Sequence, residues 1–364
     1  GGTLSPLTDY VIDNINGKIH YINKEKFEKA LLDCDKMDDF INEIYKISKK
    51  DKTYFLKDFI EKELFETIEN LIGFSTEISK RARQNPRELH TIIKTNDRLY
   101  IPGSTIKGAI KWVILYQFIK NTGKGQELFR QFIRKIKDEC KTKNNVYIKS
   151  KNIDQAFNDI ENAVFGDLRD KHQAMLFSKF QVSDTNVIDK KDKFFVYEVI
   201  REHLKKGEPV IQQFRETIDF ATLYFTITVT ENFNSQNFPN NQNAIEFLRF
   251  LNDESPYNFF KIINDTIKEI ITSEIEIVEN SNIGEETDIE QRDELIGFYN
   301  RILNRIDKNN NKIAFLPIGF AKNYYENSIG YLIKQADFDT FVEMRKIYNG
   351  MGKINQKFFP ITRY

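Results

Sequence analysis

The chain has 364 residues, 40% hydrophobic and 30% charged, the composition of a folded globular protein large enough for two cores rather than one. Its 54 basic residues balance 54 acidic ones, which excludes a protein that coats nucleic acid along its whole surface. No run approaches the roughly 18 consecutive apolar residues of a membrane span. Two cysteines, Cys34 and Cys140, cannot staple a chain of this size, and no cysteine–histidine cluster has zinc-ligand spacing. A reduced, cytoplasmic protein without metal or cofactor is expected. Gly1-Gly2-Thr3 is neither an initiator methionine nor a signal peptide, so the sequence is expected to begin inside a longer chain.

The zero sum hides segregation. Lys80 to Lys111 holds eight basic residues against Glu88 and Asp97, and Lys120 to Lys151 holds ten against three. Glu274 to Glu294 holds nine acids against the single Arg292. Such blocks suggest one face for an anionic partner and another kept away from it, with plain solvated surface as the alternative.

In chain order, residues 24 to 72 carry Phe27, Leu31, Phe40, Ile44, Phe55, Phe59, Leu64 and Ile68 at helical spacing, the pattern of two or three amphipathic helices. A strand over Arg98 to Ile101 ends at Pro102-Gly103. After it, Ile106, Ala109, Ile110, Val113 and Ile114 make one core-facing helical stripe, with Lys107 and Lys111 one turn apart on the polar face. Leu176 to Val182 and Lys193 to Ile200 read as strands. So does Leu223 to Thr230, with Leu223, Phe225, Ile227 and Val229 on one face and a polar, exposed face opposite. The Asn-rich residues 231 to 241 make a candidate linker, followed by helices around 243–252 and 257–272.

Gly103 and Gly108 have the spacing of a nucleotide P-loop, but Ala109 and Ile110 stand where the lysine and hydroxyl residue are needed. This is not an ATP site. What remains is a helix N-terminus at Gly103 and Ser104, flanked by lysines, which either holds a phosphate or is an ordinary helix start.

Tyr100 to Trp112, Y-I-P-G-S-T-I-K-G-A-I-K-W, resembles the I-P-G-S-S-x-K-G-x-x-R signature of the CRISPR RAMP superfamily, whose members build guide-RNA effector complexes. Further resemblances follow in the family's order: Gly1 to Asp13, Val164-Phe165-Gly166, Val182-Ser183-Asp184, Gln213 to Asp219, the loop Leu316 to Gly330, and the ending Phe359-Pro-Ile-Thr-Arg363. The opening and ending resemble the subunit of type III-A Csm complexes that caps the guide's 3′ end. The family's first strand is expected before Gly1, and the loop between Gly319 and Gly330 is poorer in glycine than the family pattern.

The resemblance implies an α+β fold, with a ferredoxin-like (RRM-like) RAMP domain with helical insertions at 1–235 and a second, degenerate and more helical RAMP-like domain at 236–364. It implies a non-catalytic subunit of a type III-A effector complex that grips crRNA, caps the filament at the guide 3′ end and serves crRNA maturation and antiviral defence. Its partners would be crRNA, other Csm-complex RAMP subunits and host nucleases, with no membrane. The expected RNA-binding residues are Gly103, Ser104, Lys107, Lys111, Arg81, Arg83 and Arg87, with Lys322 and Tyr324 in the glycine-containing loop.

Two other readings stand beside it. One is an endoribonuclease acting through His90 or through Asp9 and Asp13. The family's cleaving aspartate precedes the Ser-Pro of the first loop, and Leu4 occupies that position here. An apolar side chain neither binds a metal nor accepts a proton, so no catalytic residue is expected. The other is a protein-interaction cap that recruits host nucleases.

Overall fold

The computed structural model describes residues 2–47, 55–79, 88–95, 98–142, 144–166, 177–188, 194–203, 209–234, 236–238, 242–253, 255–280, 286–319, 329–349 and 362–363. Two compact units draw on separated stretches of chain. The first comprises Gly1–Ile101, Thr185–Arg201 and Pro209–Tyr224; the second comprises Pro102–Asp184, Glu202–Glu208 and Phe225–Tyr364. Neither unit coincides with the two sequence blocks, because the second takes residues from either side of 235, and the division at 235 stays a proposal about the family's domains.

The first unit is built on a mixed sheet. Its strands are β1 (Thr3–Leu4), β2 (Tyr10–Asp13), β3 (Lys18–Ile22), β4 (Ile72–Ile78), β5 (Leu89–His90), β9 (Phe194–His203) and β10 (Pro209–Ile218), in the order β1-β5-β10-β9-β4-β3-β2. The β1–β5, β4–β3 and β3–β2 pairs are antiparallel, whereas β10–β5 and β4–β9 are parallel. Between β5 and β9 in the chain lie β6 (Lys94–Thr95), β7 (Arg98–Leu99) and β8 (Phe180–Val182).

Alternation along β2 explains why both faces of the sheet are covered. Tyr10 and Ile12 enter one cluster with Ile19, Ile78, Leu89, Val196 and Phe214. Val11 points the other way, into a cluster with Phe27, Leu31, Phe40, Phe59, Ile60 and Leu71. That second cluster is capped by α1 (Lys24–Asp33), α2 (Met37–Ile47), α3 (Phe55–Glu63) and the single turn α4 (Ile68–Leu71), four helices where the periodicity indicates two or three. Tyr10 and Ile19 are almost wholly buried; burial of such side chains contributes about 2 kcal/mol each, which fixes the register of this corner.

The second unit is helical around α5 (Gly103–Asn121). Its expected stripe, Ile106, Ala109, Ile110, Val113 and Ile114, is buried. From Val113 to Ile119 every residue is buried, so the second half of α5 is enclosed on all sides. Enclosure demands partners for its polar groups: Gln117 donates to the Thr266 hydroxyl at 2.8 Å and Tyr116 to Glu269 at 2.8 Å. Against it pack α6 (Gly123–Lys141), α7 (Val146–Phe165) and the helix Tyr257–Glu279, which is α9; α8 (Gln242–Leu248), α10 (Glu286–Lys308), α11 (Gly330–Ala336) and α12 (Phe338–Asn349) pack on these in turn. Among the described residues, no helix is long and apolar enough to cross a membrane.

The strand expected over Leu223 to Thr230 is shorter: β11 is Ile227–Val229, paired antiparallel with β8, and Tyr224 to Thr228 are exposed without interruption. Alternation predicts one covered face, but a strand's burial is set by what packs on it, and here neither face is covered. The strand expected from Leu176 is also shorter, since 177–179 form a 3-10 turn before β8. Cys34 is exposed and Cys140 half-buried, and the two are not joined in a disulfide. The acidic block is not wholly a solvent face, because Glu274 is fully buried within α9.

Candidate nucleic-acid interface

The signature at Tyr100 to Trp112 forms the start of α5, and its first glycine is a steric necessity. A Cβ on Gly103 would lie 2.2 Å from the Val182 carbonyl oxygen and 2.6 Å from the Ser183 carbonyl, both rigid backbone. The helix thus begins pressed against the end of β8. There the Gly103 amide donates to the Asp184 carboxylate at 2.7 Å. Pro102 occupies the N-cap position with no capping side chain of its own, so Asp184 supplies the anion that the positive helix end favours.

Ser183 secures the same corner. Its amide donates to the Thr226 carbonyl and its hydroxyl accepts from the Thr226 amide, each at 2.9 Å. The Ser-Asp pair that closes β8 is therefore a joint, with serine tied to β11 and aspartate tied to α5. The Gly103 amide thus already holds an internal carboxylate, and a phosphate at this helix start would meet the neighbouring groups or compete with Asp184.

Ser104 and Gly108 are exposed, and Lys107 and Lys111 are half-buried on the helix face that the spacing indicates. Desolvation, and then the Lys111 charge one turn away, hold the Lys107 ammonium below the ordinary lysine range. An anion placed beside the two lysines would relieve that repulsion. Lys111 is not idle, however: its Nζ lies 3.2 Å from Glu161 and 4.9 Å above the Phe165 ring, both on α7. Phe165 is followed by Gly166, whose φ of +90° ends α7 in a conformation that favours glycine. The Phe-Gly element thus delivers an aromatic face beneath Lys111.

Arg81, Arg83, Arg87, Lys322 and Tyr324 lie outside the described residues. Four of the ten cations of the second basic block form ion pairs within the fold. Lys120 pairs with Glu269, Lys137 with Asp337, Lys124 with Glu127 at 3.2 Å and Lys135 with Glu139 at 3.0 Å. The basic surface of α6 is consequently less available to an anion than its sequence suggests.

The candidate catalytic groups are placed in structural tasks. Asp9 accepts from the Ser5 amide at 2.8 Å and pairs with Lys24 at 3.1 Å. Asp13 accepts from the amides of Ile15 and Asn16 at 2.9 and 3.0 Å and from the Asn16 side chain at 2.6 Å, closing the β2–β3 turn. Partial burial opposes its charge, yet these donors hold its carboxyl below the usual range. Leu4 lies in β1 opposite Leu89, and His90 lies in β5 between Thr3 and Arg215. No group of three metal-ligating side chains occurs among the described residues. Asp184, Glu161 and Phe165 are partners of α5 that the sequence does not place beside it. All three stand in or beside motifs noted separately, and the signal of their convergence is spatial.

Fold and site together define an α+β protein with a glycine-entered helix whose first turns carry two half-buried lysines. Residues 24–324 match the RAMP superfamily, and the chain belongs to that family. The fold resembles a chain of the cryo-EM structure of a Csm-crRNA-target RNA ternary complex in a type III-A CRISPR-Cas system, with a TM-score of 0.66, 19% identity and coverage of 100% of this chain and 92% of that one. It also resembles T. onnurineus Csm5 in its crystal structure, with a TM-score of 0.57, 18% identity and coverage of 93% of this chain and 92% of that one. Likeness at these identities is a likeness of fold. No curated protein matches the sequence.

Proposed function

We propose that this chain is a non-catalytic, crRNA-binding subunit of a type III-A effector complex, seated at the end of a filament of related subunits. There it grips the 3′ region of the guide and helps set its mature length, in the service of antiviral defence. The observation that carries this reading is the end-to-end fold likeness to a chain of a Csm-crRNA-target RNA complex. In this reading Lys107 and Lys111 on α5 supply sequence-independent phosphate contacts, Ser104 adds a hydroxyl, and the sequence offers Arg81, Arg83, Arg87, Lys322 and Tyr324 as further RNA contacts. Leu4 at the position of the family's cleaving aspartate supports a subunit that holds RNA without cutting it.

A second reading, a cap that works through protein contacts and recruits host nucleases, is favoured by the internal pairing of Lys111, Lys120 and Lys137. One experiment separates them. The purified protein is titrated with single-stranded RNA at several salt concentrations, then incubated with repeat RNA with magnesium or with chelator. The first reading expects salt-sensitive binding and intact RNA. No binding at low salt, together with a protein complex that survives nuclease, would favour the second. Cleaved repeat RNA would contradict the non-catalytic assignment.

A further inference from the structure

β11 pairs with β8 through a register of Ile227 with Val182, Thr228 with Gln181 and Val229 with Phe180. Hydrogen bonds extend the ladder at both ends: Ser183 donates to the Thr226 carbonyl and Thr230 to the Lys179 carbonyl, each at 2.9 Å. The backbone groups of Thr226, Thr228 and Thr230 therefore face β8. By the alternation of an antiparallel ladder, those of Phe225, Ile227 and Val229 face the opposite edge. Among the described residues no strand pairs with that edge.

Both faces of this segment are open as well. Phe225 is 43% exposed and Ile227 37%, and Thr226, Thr228 and Thr230 are exposed opposite them. From Phe220 to Thr230 the sequence has no charge, no proline and no glycine. Proteins guard an open edge with a lysine, a proline, a bulge or a covering element, because an unguarded β-prone edge templates pairing with another chain. Neither a charge nor a proline guards this segment.

We propose that the outer edge of β11 is a docking site for an uncharged, extended segment of a neighbouring subunit, which adds to it as a further strand. The proposal rests on the reading of this chain as a filament subunit. Backbone complementarity supplies the affinity, and the alternate side chains Phe225, Ile227 and Val229 supply the apolar contact. The absence of charge argues for protein over RNA. The segment offers no cation to a phosphate, and its flanking charges, Asp219 and Glu231, are both acidic.

The geometry provides a selective probe. Ile227→Pro removes an amide that points outward and leaves the ladder to β8 intact, whereas Thr228→Pro removes an inward one and serves as the disruptive control. Ile227→Lys keeps the amide and places a charge on the edge. Wild type and variants are co-expressed with the other subunits of the complex, treated with nuclease and recovered. Amide hydrogen exchange is then followed in the complex, in the isolated protein and in the isolated protein with single-stranded RNA. The expected result is fast exchange at Phe225, Ile227 and Val229 in the isolated protein and many-fold slowing in the complex. Ile227→Pro and Ile227→Lys should melt near wild type yet enter the complex several-fold less. Unslowed amides in a complex that the wild-type protein has entered overturn the edge proposal alone. Slowing by RNA alone, or by self-association of the isolated protein, assigns the edge to another occupant and overturns it too. Failure of the wild-type protein to enter any complex overturns the filament reading together with this one.

Discussion

The Asp184 carboxylate accepts the Gly103 amide at 2.7 Å across a sequence separation of 81 residues, closing the N-terminus of α5 against the end of β8. The two residues do different work at one joint: glycine permits the approach, and aspartate satisfies the helix end that the approach buries.

Gly103→Ala should therefore cost about 1–3 kcal/mol, since its methyl group meets backbone that cannot swing aside. Asp184→Ala should cost about 1 kcal/mol, the worth of a helix cap. Denaturant midpoints of the two single variants and the double variant check this. The double variant should cost less than the sum, because the cap has no value once the helix end has shifted.

Lys107→Ala with Lys111→Ala should weaken single-stranded RNA binding and flatten its salt dependence by about 0.7 in log–log slope for each phosphate no longer neutralised. Glu161→Gln should act in the opposite direction. It releases Lys111 from its internal partner and raises affinity by up to about fivefold, the worth of a surface ion pair. Salt-dependent titrations read both effects.

Glu216 lies in the segment Q-F-R-E-T-I-D, and its fully buried carboxylate receives the Lys94 ammonium at 2.7 Å and the Ile92 amide at 2.9 Å. Glu216→Ala should cost about 3–5 kcal/mol, because it leaves an uncompensated cation in the aromatic surroundings of Phe194. Glu216→Leu combined with Lys94→Met should recover much of that loss, as measured by chemical denaturation.

Asp337 accepts from the Thr340 amide at 2.9 Å at the start of α12 and pairs with Lys137 of α6. Lys137 first, and then the Thr340 amide, hold its carboxyl below the reference value of 3.8. A carboxyl depressed in the folded state stabilises the protein above its unfolded pKa and loses that contribution as pH falls through the folded value. Asp337→Ala should thus destabilise at pH 7, and the difference from wild type should shrink below about pH 3.8. Equal differences at neutral and strongly acidic pH would show that the carboxylate charge is not what matters.

Periodicity makes the elements that bury one stripe legible in the sequence. Ile106, Ala109, Ile110, Val113 and Ile114 define α5 from the sequence alone, because a 3.6-residue repeat records which side meets the core. The full enclosure of Val113 to Ile119 is less legible, since it depends on α9, more than a hundred residues away. Alternation in Leu223 to Thr230 indicates the extended conformation but not its burial, because nothing in the strand itself says what covers it. Charge blocks mislead in a related way. Lys120 and Lys137 read as free cations and Glu274 as a surface acid, whereas the fold pairs the first two and buries the third. At the candidate site, the two lysines and the glycine are visible as a local motif. Asp184, Glu161 and Phe165 are not visible as their partners, because contacts between distant segments leave no periodic trace in one sequence.

Whether this chain holds the 3′ end of a guide is read by sequencing the RNA that co-purifies with the co-expressed complex, with and without it. Guides with a defined 3′ end that lengthen or disappear when the subunit is omitted are the predicted result. Guides of unchanged length and yield without it would rule out a role at the 3′ end.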